Sequence, residues 1–223
     1  MQQAARQKIS MAFWLLSLLD IVGISCSFEP LHYIAKPLLV PALILLMFNA
    51  PGGPGKKLLL AGLIFSWMGD VFLMFENRYP LFFIPGLVCF LTTHVFYIIY
   101  FLNIRPEKVS LLKKQPLLVV PVLAYGTGLV WFLFPHLGNL TVPVIVYATV
   151  ICTMLICSMH AYAKLDKGPA NAFLLGAASF VLSDSLLAIN KFYQPIPFAG
   201  IWIMLTYCAA QYFIVTGFVK RAA

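Results

Sequence analysis

The chain has 223 residues, of which 62% are hydrophobic and only 10% are charged. Soluble domains average about 45–50% apolar and about 25% charged residues, so this composition excludes an ordinary soluble protein. Together with a mean hydropathy of +0.93, it indicates an integral membrane protein of one domain, residues 1–223. The five cysteines are scattered, without disulfide-framework or Cys-His metal spacing.

Eight apolar stretches are each long enough to cross a bilayer as an α-helix. The connections between them are short, so no soluble domain is expected. We predict an all-α, polytopic membrane protein with eight transmembrane helices. The first stretch contains Asp20 and has no Ala-x-Ala cleavage site, so it is expected to remain as a helix. The predicted spans are Ile9–Ser25, Leu31–Asn49, Leu58–Phe75, Leu81–Leu102, Pro116–Phe134, Thr141–Ala163, Ala170–Ile189 and Pro197–Val219.

Lysine and arginine are distributed unequally between the two sides of the predicted bundle. Twelve of the 15 lie at the termini and in alternate connections, all on one side. Such an excess marks the cytoplasmic side, so both termini are expected to be cytoplasmic, in the inner membrane if the protein is bacterial. The net charge of +8 then reflects topology, and no nucleic-acid partner is expected. The twelve are Arg6, Lys8, Lys56, Lys57, Arg105, Lys108, Lys113, Lys114, Lys164, Lys167, Lys220 and Arg221.

Four ionisable side chains within the apolar stretches share a predicted depth. Counted at 1.5 Å per residue from the non-cytoplasmic helix ends, all four lie roughly 7–12 Å deep. A charge in hydrocarbon costs at least about 2.5 kcal/mol and usually faces a partner or a water-filled cavity, which favours one functional site over scattered ion pairs. Asp20, near a helix end, is instead expected to reach water. The four are Asp20, Lys36, Asp70 and Asp184, with His94 and Gln211 roughly 20 Å deep beneath them.

Two segments of the chain resemble each other at an offset of 114 residues. Gly62 precedes Asp70 by eight residues, as Gly176 precedes Asp184, and each segment closes with a tyrosine and a proline. This pattern suggests two parallel four-helix repeats, in which the two aspartates are equivalent and face one cavity.

The remaining polar residues each have a functional and a structural interpretation. Lys36 precedes Pro37, which distorts a helix, and could be a counter-ion or a phosphate ligand. Tyr207 and Gln211 are neighbours on one helix face and could simply form interhelical hydrogen bonds. His94 could carry a proton or only accept a hydrogen bond. Since the four histidines lie at different depths, a three-histidine zinc site is not expected.

Five motifs follow one another along the chain: Lys36-Pro37, Gly69-Asp70-x-Phe-Leu-Met, Thr93-His94-x-Phe-Tyr97, Ser183-Asp184-x-x-x-Ala-x-Asn190-Lys191-Phe192 and Tyr207-x-x-Ala-Gln211. Together they resemble the YhhN family, the lysoplasmalogenases. The resemblance implies a hydrolase that cleaves the vinyl ether bond of a lysoplasmalogen, a lysophospholipid of the bilayer, without a metal or organic cofactor. The products would be a fatty aldehyde and a glycerophospho-choline or -ethanolamine.

Vinyl ether hydrolysis needs an acid that protonates carbon and an anion that stabilises the resulting cation and activates water. Two carboxylates in different environments can divide these roles. We expect Asp70 to be the acid and Asp184, aided by Lys191 or Lys36, to be the anion and base, although the reverse assignment is also open. Either lysine could instead hold the substrate phosphate. Asn190 could position water, and Tyr207, Gln211 and His94 could shape the deeper end that receives the alkenyl chain.

A second function class also fits the sequence. Parallel repeats and charges within the membrane are compatible with a small transporter or a lipid-translocating protein whose Asp and Lys residues bind protons or headgroups. Aldehyde production in detergent micelles separates the two classes, because a transporter does not need to change its lipid chemically.

Overall fold

The computed structural model describes residues 2–76, 78–104 and 110–222. All secondary-structure elements in these residues are helices. The all-α prediction is confirmed. Nine α-helices occur in these residues, and short 3₁₀ turns lead into α4 and join α6 to α7. The helices are α1 Gln2–Ser25, α2 Glu29–Phe48, α3 Lys56–Met74, α4 Phe83–Leu102, α5 Leu111–Lys114, α6 Val119–Leu133, α7 Thr141–Tyr162, α8 Lys167–Phe192 and α9 Ala199–Ala222.

All of these helices except α5 belong to the eight segments that are long and apolar enough to cross a membrane. Two boundaries differ clearly from the predicted spans. Helix α1 begins seven residues before Ile9, because the polar stretch there is rich in alanine, glutamine, lysine and arginine, which are good helix formers. Helix α8 continues past Ile189 to Phe192, so the Asn190–Lys191 pair lies on the helix and not in the following loop.

An even number of spans places both termini on the same side of the bundle. Which side is cytoplasmic stays a prediction, and two of the basic residues that support it, Arg105 and Lys108, lie outside the described residues. The basic connection between α4 and α6 contains the short helix α5, which the sequence interpretation missed. Ser110 caps this helix by accepting a hydrogen bond from the Leu112 backbone N–H at 3.2 Å.

The helices form antiparallel pairs, α1 with α2, α3 with α4 and α8 with α9, and these pack around one apolar core. Large side chains from different helices meet there, among them Leu43, Tyr97, Phe101, Phe173 and Phe180. Helix α6 is peripheral and packs mainly on α7. Many apolar side chains point outwards, including Trp131 and Leu81, which are 80% and 85% exposed. A surface of this kind suits contact with lipid and not with water.

The order of helix contacts supports the predicted repeat. Within each half, consecutive helices pack together, and the contact of α4 with α7 is matched by that of α9 with α2. Gly62 and Gly176, which correspond in the predicted repeat, both lie at close contacts between helices. A Cβ on Gly62 would lie 2.5 Å from the Tyr97 ring of α4, and one on Gly176 would lie 2.9 Å from Ile214 of α9. The first helices of the two halves differ in their contacts with other helices: α1 packs on α9, whereas α6 contacts α7 and α8.

Candidate active site

A cavity of about 320 Å³ lies among α2, α3, α8 and α9, at the end of the bundle where α2 and α9 begin. It gathers side chains that are far apart in sequence, as the shared depth of the ionisable groups predicted. Both Asp70 and Asp184 line this cavity. So do three further residues that the sequence singled out, Lys36, Asn190 and Tyr207. The other three, His94, Lys191 and Gln211, lie beside or beneath it.

Asp70, on α3, is only 4% exposed and is held by a chain of hydrogen bonds. The Tyr207 hydroxyl donates to its Oδ2 at 2.5 Å. Because the tyrosine hydrogen points to Asp70, Ser66 must donate to the Tyr207 oxygen, 2.8 Å away. Gln211 donates to Ser66 at 2.5 Å and to Tyr207 at 3.2 Å, and its Oε1 accepts from Tyr97 at 3.0 Å.

This chain of buried donors and acceptors has a defined direction, from Tyr97 through Gln211 and Ser66 to Tyr207 and Asp70. Donors linked in one direction polarise one another, and a fully paired buried network holds its members in fixed positions. The predicted neighbours Tyr207 and Gln211 therefore do form interhelical hydrogen bonds. They also fix the carboxylate that faces the cavity.

Asp184, on α8, has different surroundings. Tyr147 of α7 donates to its Oδ2 at 2.5 Å. Nε2 of His94 is 3.8 Å from the same oxygen, too far for a hydrogen bond. His94 is completely buried, between the rings of Tyr147 and Phe180, and neither of its ring nitrogens has a hydrogen-bond partner within the described part of the chain.

Lys36 reaches the cavity from a helix that has two prolines in its interior, Pro37 and Pro41. Pro41 has no backbone N–H to offer to the carbonyl of Pro37, one turn earlier. Trp67 of α3 supplies the missing donor, because its Nε1 donates to that carbonyl at 2.9 Å. The bond ties α2 to α3 on the wall where Lys36 and Asp70 face the same space.

Lys191 was expected to aid Asp184. It pairs instead with Glu76, a residue that the sequence interpretation overlooked. Its Nζ donates to Oε1 of Glu76 at 2.9 Å and lies 4.9 Å from the centre of the Phe83 ring. Asn190 accepts a hydrogen bond from the Ile196 backbone N–H at 2.9 Å, which fixes the turn between α8 and α9. Asn190 still lines the cavity, so its amide group can also face a ligand.

The expectation that Asp20 simply reaches water is wrong. Asp20 is completely buried, and its Oδ1 is 2.7 Å from Nδ1 of His32, on the first turn of α2. Gly23 makes this approach feasible, because a Cβ there would lie 2.9 Å from the backbone nitrogen of His32. His32 lines the same cavity as Lys36 and Asp70.

A sequence model of the YhhN family matches residues 31–218, which contain every side chain of this cavity except Ile24. The chain belongs to the YhhN family. It is 34% identical over 166 residues to human lysoplasmalogenase TMEM86B, covering 74% of this chain and 65% of the relative. It is also 33% identical to human lysoplasmalogenase TMEM86A, covering 75% of this chain and 67% of the relative. With the lysoplasmalogenase of Mycobacterium tuberculosis it shares 30% identity, covering 84% and 71% of the two chains.

The chain thus spans about two thirds of the length of the human relatives. No solved structure matches it. In this YhhN protein, no three His, Cys, Asp or Glu side chains of the described residues lie close enough together to hold a metal ion.

Besides His32, sequence reasoning missed two residues of the YhhN site. Tyr147 is one of ten tyrosines, and an aromatic residue in an apolar stretch gives no signal of a hydrogen bond to a carboxylate on the next helix. Glu76 follows the apolar part of α3, where a charged residue is ordinary. Its position opposite Lys191 depends on how α3 and α8 pack, which no local sequence pattern predicts.

Proposed function

We propose that this chain is an integral membrane hydrolase that cleaves the vinyl ether bond of lysoplasmalogen-type lysophospholipids. The products are a fatty aldehyde and a glycerophospho-headgroup. The observation that carries the proposal is the convergence of Asp70 and Asp184 on one cavity, in a member of a family whose curated relatives are named lysoplasmalogenases. The substrate is a lipid of the bilayer, which a cavity within the membrane-spanning bundle can receive directly.

The reaction consumes one water and needs two different carboxyl groups. A proton is added to the β-carbon of the vinyl ether, which leaves an oxocarbenium ion on the neighbouring carbon. Water adds to that carbon and loses a proton to a base, which gives a hemiacetal. The hemiacetal then breaks its bond to the glycerol oxygen, releasing aldehyde and alcohol. A neutral carboxylic acid supplies the first proton, and an ionised carboxylate stabilises the cation and accepts the proton of water.

Asp70 is better suited to the anionic role. It receives a hydrogen bond from Tyr207, which is itself backed by Ser66 and Gln211, and hydrogen bonds donated to a carboxylate favour its ionised form. Lys36 is on the same side of the cavity. This assignment is the reverse of the one predicted from the sequence, which placed Lys191 beside Asp184.

Asp184 is then the acid that protonates carbon. Its surroundings are less polar, with Tyr147 as its hydrogen-bond donor and Phe180 and His94 packed behind it. Because Tyr147 occupies Oδ2, the proton for the substrate is carried by Oδ1. His94 packs on the buried side of Asp184 and shapes the deeper end of the site.

The remaining predicted residues act on position and binding. Asn190 orients the attacking water from the wall of α8. Tyr207 and Gln211 hold Asp70, and Lys191, through Glu76, holds α8 against α3 at the edge of the cavity. Both termini face the cytoplasm, so the cavity is nearer the opposite side of the membrane. In a bacterium this is the inner membrane.

The test uses the purified chain in detergent micelles with a 1-alkenyl-lysophosphoethanolamine, and aldehyde is measured by reduction with an alcohol dehydrogenase and NADH. We expect aldehyde to form with the wild-type chain and not with D70N or D184N. A 1-acyl lysophospholipid is the control substrate, because it has no vinyl ether and yields no aldehyde. The absence of aldehyde with correctly folded protein would refute the function, and binding without conversion would favour a lipid-translocating protein.

A further inference from the structure

The buried pair of Asp20 and His32 has no role in the scheme above. Asp20 is completely buried, and its second oxygen, Oδ2, has no hydrogen-bond partner among the described residues. Its first oxygen holds Nδ1 of His32 at 2.7 Å. The contact leaves Nε2, at the opposite edge of the ring, without any hydrogen bond within the described part of the chain. A histidine fixed by a carboxylate in this way presents its second nitrogen in a defined direction.

The position of His32 in the cavity indicates what kind of group its Nε2 can bind. His32 and Lys36 are four residues apart on α2 and therefore on the same helix face. Both line the cavity of about 320 Å³, and they are the only basic residues among its lining. The other charged residues of the lining are the carboxylates Asp70, Glu76 and Asp184. The cavity therefore has one basic wall, formed by α2, and acidic walls on α3 and α8.

The substrate of the proposed reaction carries a phosphate ester, which is an anion. The Asp70 carboxylate on α3 repels such a group, and Glu76 beside it is already paired with Lys191, so α2 offers the most favourable wall. Lys36 provides a positive charge, and the protonated ring of His32, which donates Nδ1–H to Asp20, provides a directed Nε2–H, both of which suit phosphate oxygens. His32 lies on the first turn of α2 and Lys36 one turn further in, so a phosphate bound at His32 leaves the glycerol and the vinyl ether pointing inwards.

We propose that His32, held in place by Asp20, binds the phosphate of the substrate headgroup together with Lys36. His32 is thereby a residue that selects phospholipid over neutral alkenyl lipid. This inference rests on the proposed vinyl ether hydrolysis. It assigns to the Asp20–His32 pair the recognition of phosphate and to the two catalytic aspartates the bond cleavage.

The test compares two substrates that differ in phosphate alone, a 1-alkenyl-lysophosphoethanolamine and the corresponding 1-alkenylglycerol. In H32N the amide nitrogen takes the place of Nδ1, so the contact with Asp20 is kept and Nε2 is lost. In H32Q the amide nitrogen takes the place of Nε2. We expect H32N to raise KM for the phospholipid about tenfold, a loss of about 1.4 kcal/mol of binding, with little change in kcat. KM for alkenylglycerol stays unchanged, and H32Q is closer to the wild type.

Controls separate this role from a structural one. D20N should shift the phospholipid KM in the same direction as H32N but less, and H136Q, which alters a histidine outside the cavity, should not shift it. A purely structural His32 predicts the opposite order, with H32N closer to the wild type than H32Q and both substrates affected alike. Inorganic phosphate and glycerophosphoethanolamine are added as inhibitors of alkenylglycerol hydrolysis. Their inhibition shows whether the site binds a free phosphate ion or the phosphate of a headgroup.

Each outcome decides between the two proposals. If the wild type converts neither substrate, the proposed function fails. If it converts the phospholipid and H32N raises KM for both substrates or for neither, only the phosphate site fails. If the wild type binds alkenylglycerol without converting it, the inhibition constant of alkenylglycerol replaces its KM in the same comparison.

Discussion

The Tyr147 hydroxyl donates a 2.5 Å hydrogen bond to Oδ2 of Asp184. Asp70 has the corresponding bond, also 2.5 Å, from Tyr207. The two tyrosines come from different helices, α7 and α9, so the two aspartates, which the predicted repeat would make equivalent, are supported from different directions. One is linked to a polar chain, and the other is backed by aromatic rings. This difference allows two residues of the same type to perform opposite tasks.

The first prediction concerns the two aspartates. D70N and D184N should each lower kcat by at least about 100-fold, because general acid–base catalysis typically contributes about 10²–10⁴-fold. Asparagine keeps the shape of the side chain and can still accept from the tyrosine, so the melting temperature in detergent should stay near that of the wild type. Steady-state rates and thermal unfolding measure the two effects. A variant that keeps substantial activity would remove its residue from the chemistry.

The second prediction separates the roles of the aspartates. In D70A the missing anion leaves a space in the cavity that formate can fill, so added formate should restore part of the rate. In D184A formate should not help, because the missing group is a proton donor to carbon. Rates are measured across a range of formate concentrations, with chloride as the control ion. Rescue of D184A alone would reverse the assignment.

The third prediction concerns the hydrogen-bond chain beneath Asp70. Y97F removes the donor to Oε1 of Gln211 and leaves that buried oxygen unpaired, which typically costs about 1–3 kcal/mol. Y125F is the matched control, since Tyr125 is 46% exposed and its bond to Ser185 is only partly buried. Y97F should therefore lower the melting temperature more than Y125F. Equal shifts would mean that the chain contributes nothing particular to stability.

The fold was largely accessible from sequence because the bilayer imposes simple rules. Apolar length gave eight spans, and the cost of a charge in hydrocarbon pointed to Lys36, Asp70 and Asp184, which do share one cavity. Side-chain partners were not accessible in this way. The pairing of Lys191 with Glu76 depends on the rotation and depth of two helices, and a shift of one residue turns a helical side chain by about 100°.

The surroundings of Asp20 could not be predicted from the sequence either. Its place near a helix end suggested contact with water, but Gly23 lets the start of α2 close over it. A glycine in an apolar stretch is too common to predict such a contact. Tyr147 was missed for a similar reason, since tyrosine is an ordinary residue in membrane helices.

The fourth prediction concerns orientation. Cys26 is exposed at the end of α1, whereas the other four cysteines are buried, so it is a natural probe for the side on which α1 ends. A membrane-impermeant maleimide should label it from outside intact cells, and C26S should not be labelled. Gly52 lies on the opposite side, and a Cβ there would have no atom within 4 Å, so G52C in the C26S background should react only after the membrane is permeabilised. The reverse pattern would place both termini outside.

The central claim is that a carboxylic acid of this cavity protonates the vinyl ether at carbon. Turnover in D₂O tests it most directly, with the aldehyde reduced as it forms so that later enolisation cannot exchange its hydrogens. The account predicts one deuterium on the carbon next to the former aldehyde carbon in every product molecule from the earliest time point. Slow lipid exchange can hide an isotope effect on the rate, but it cannot remove this label. Promptly trapped product without deuterium would contradict carbon protonation and the acid role of Asp184.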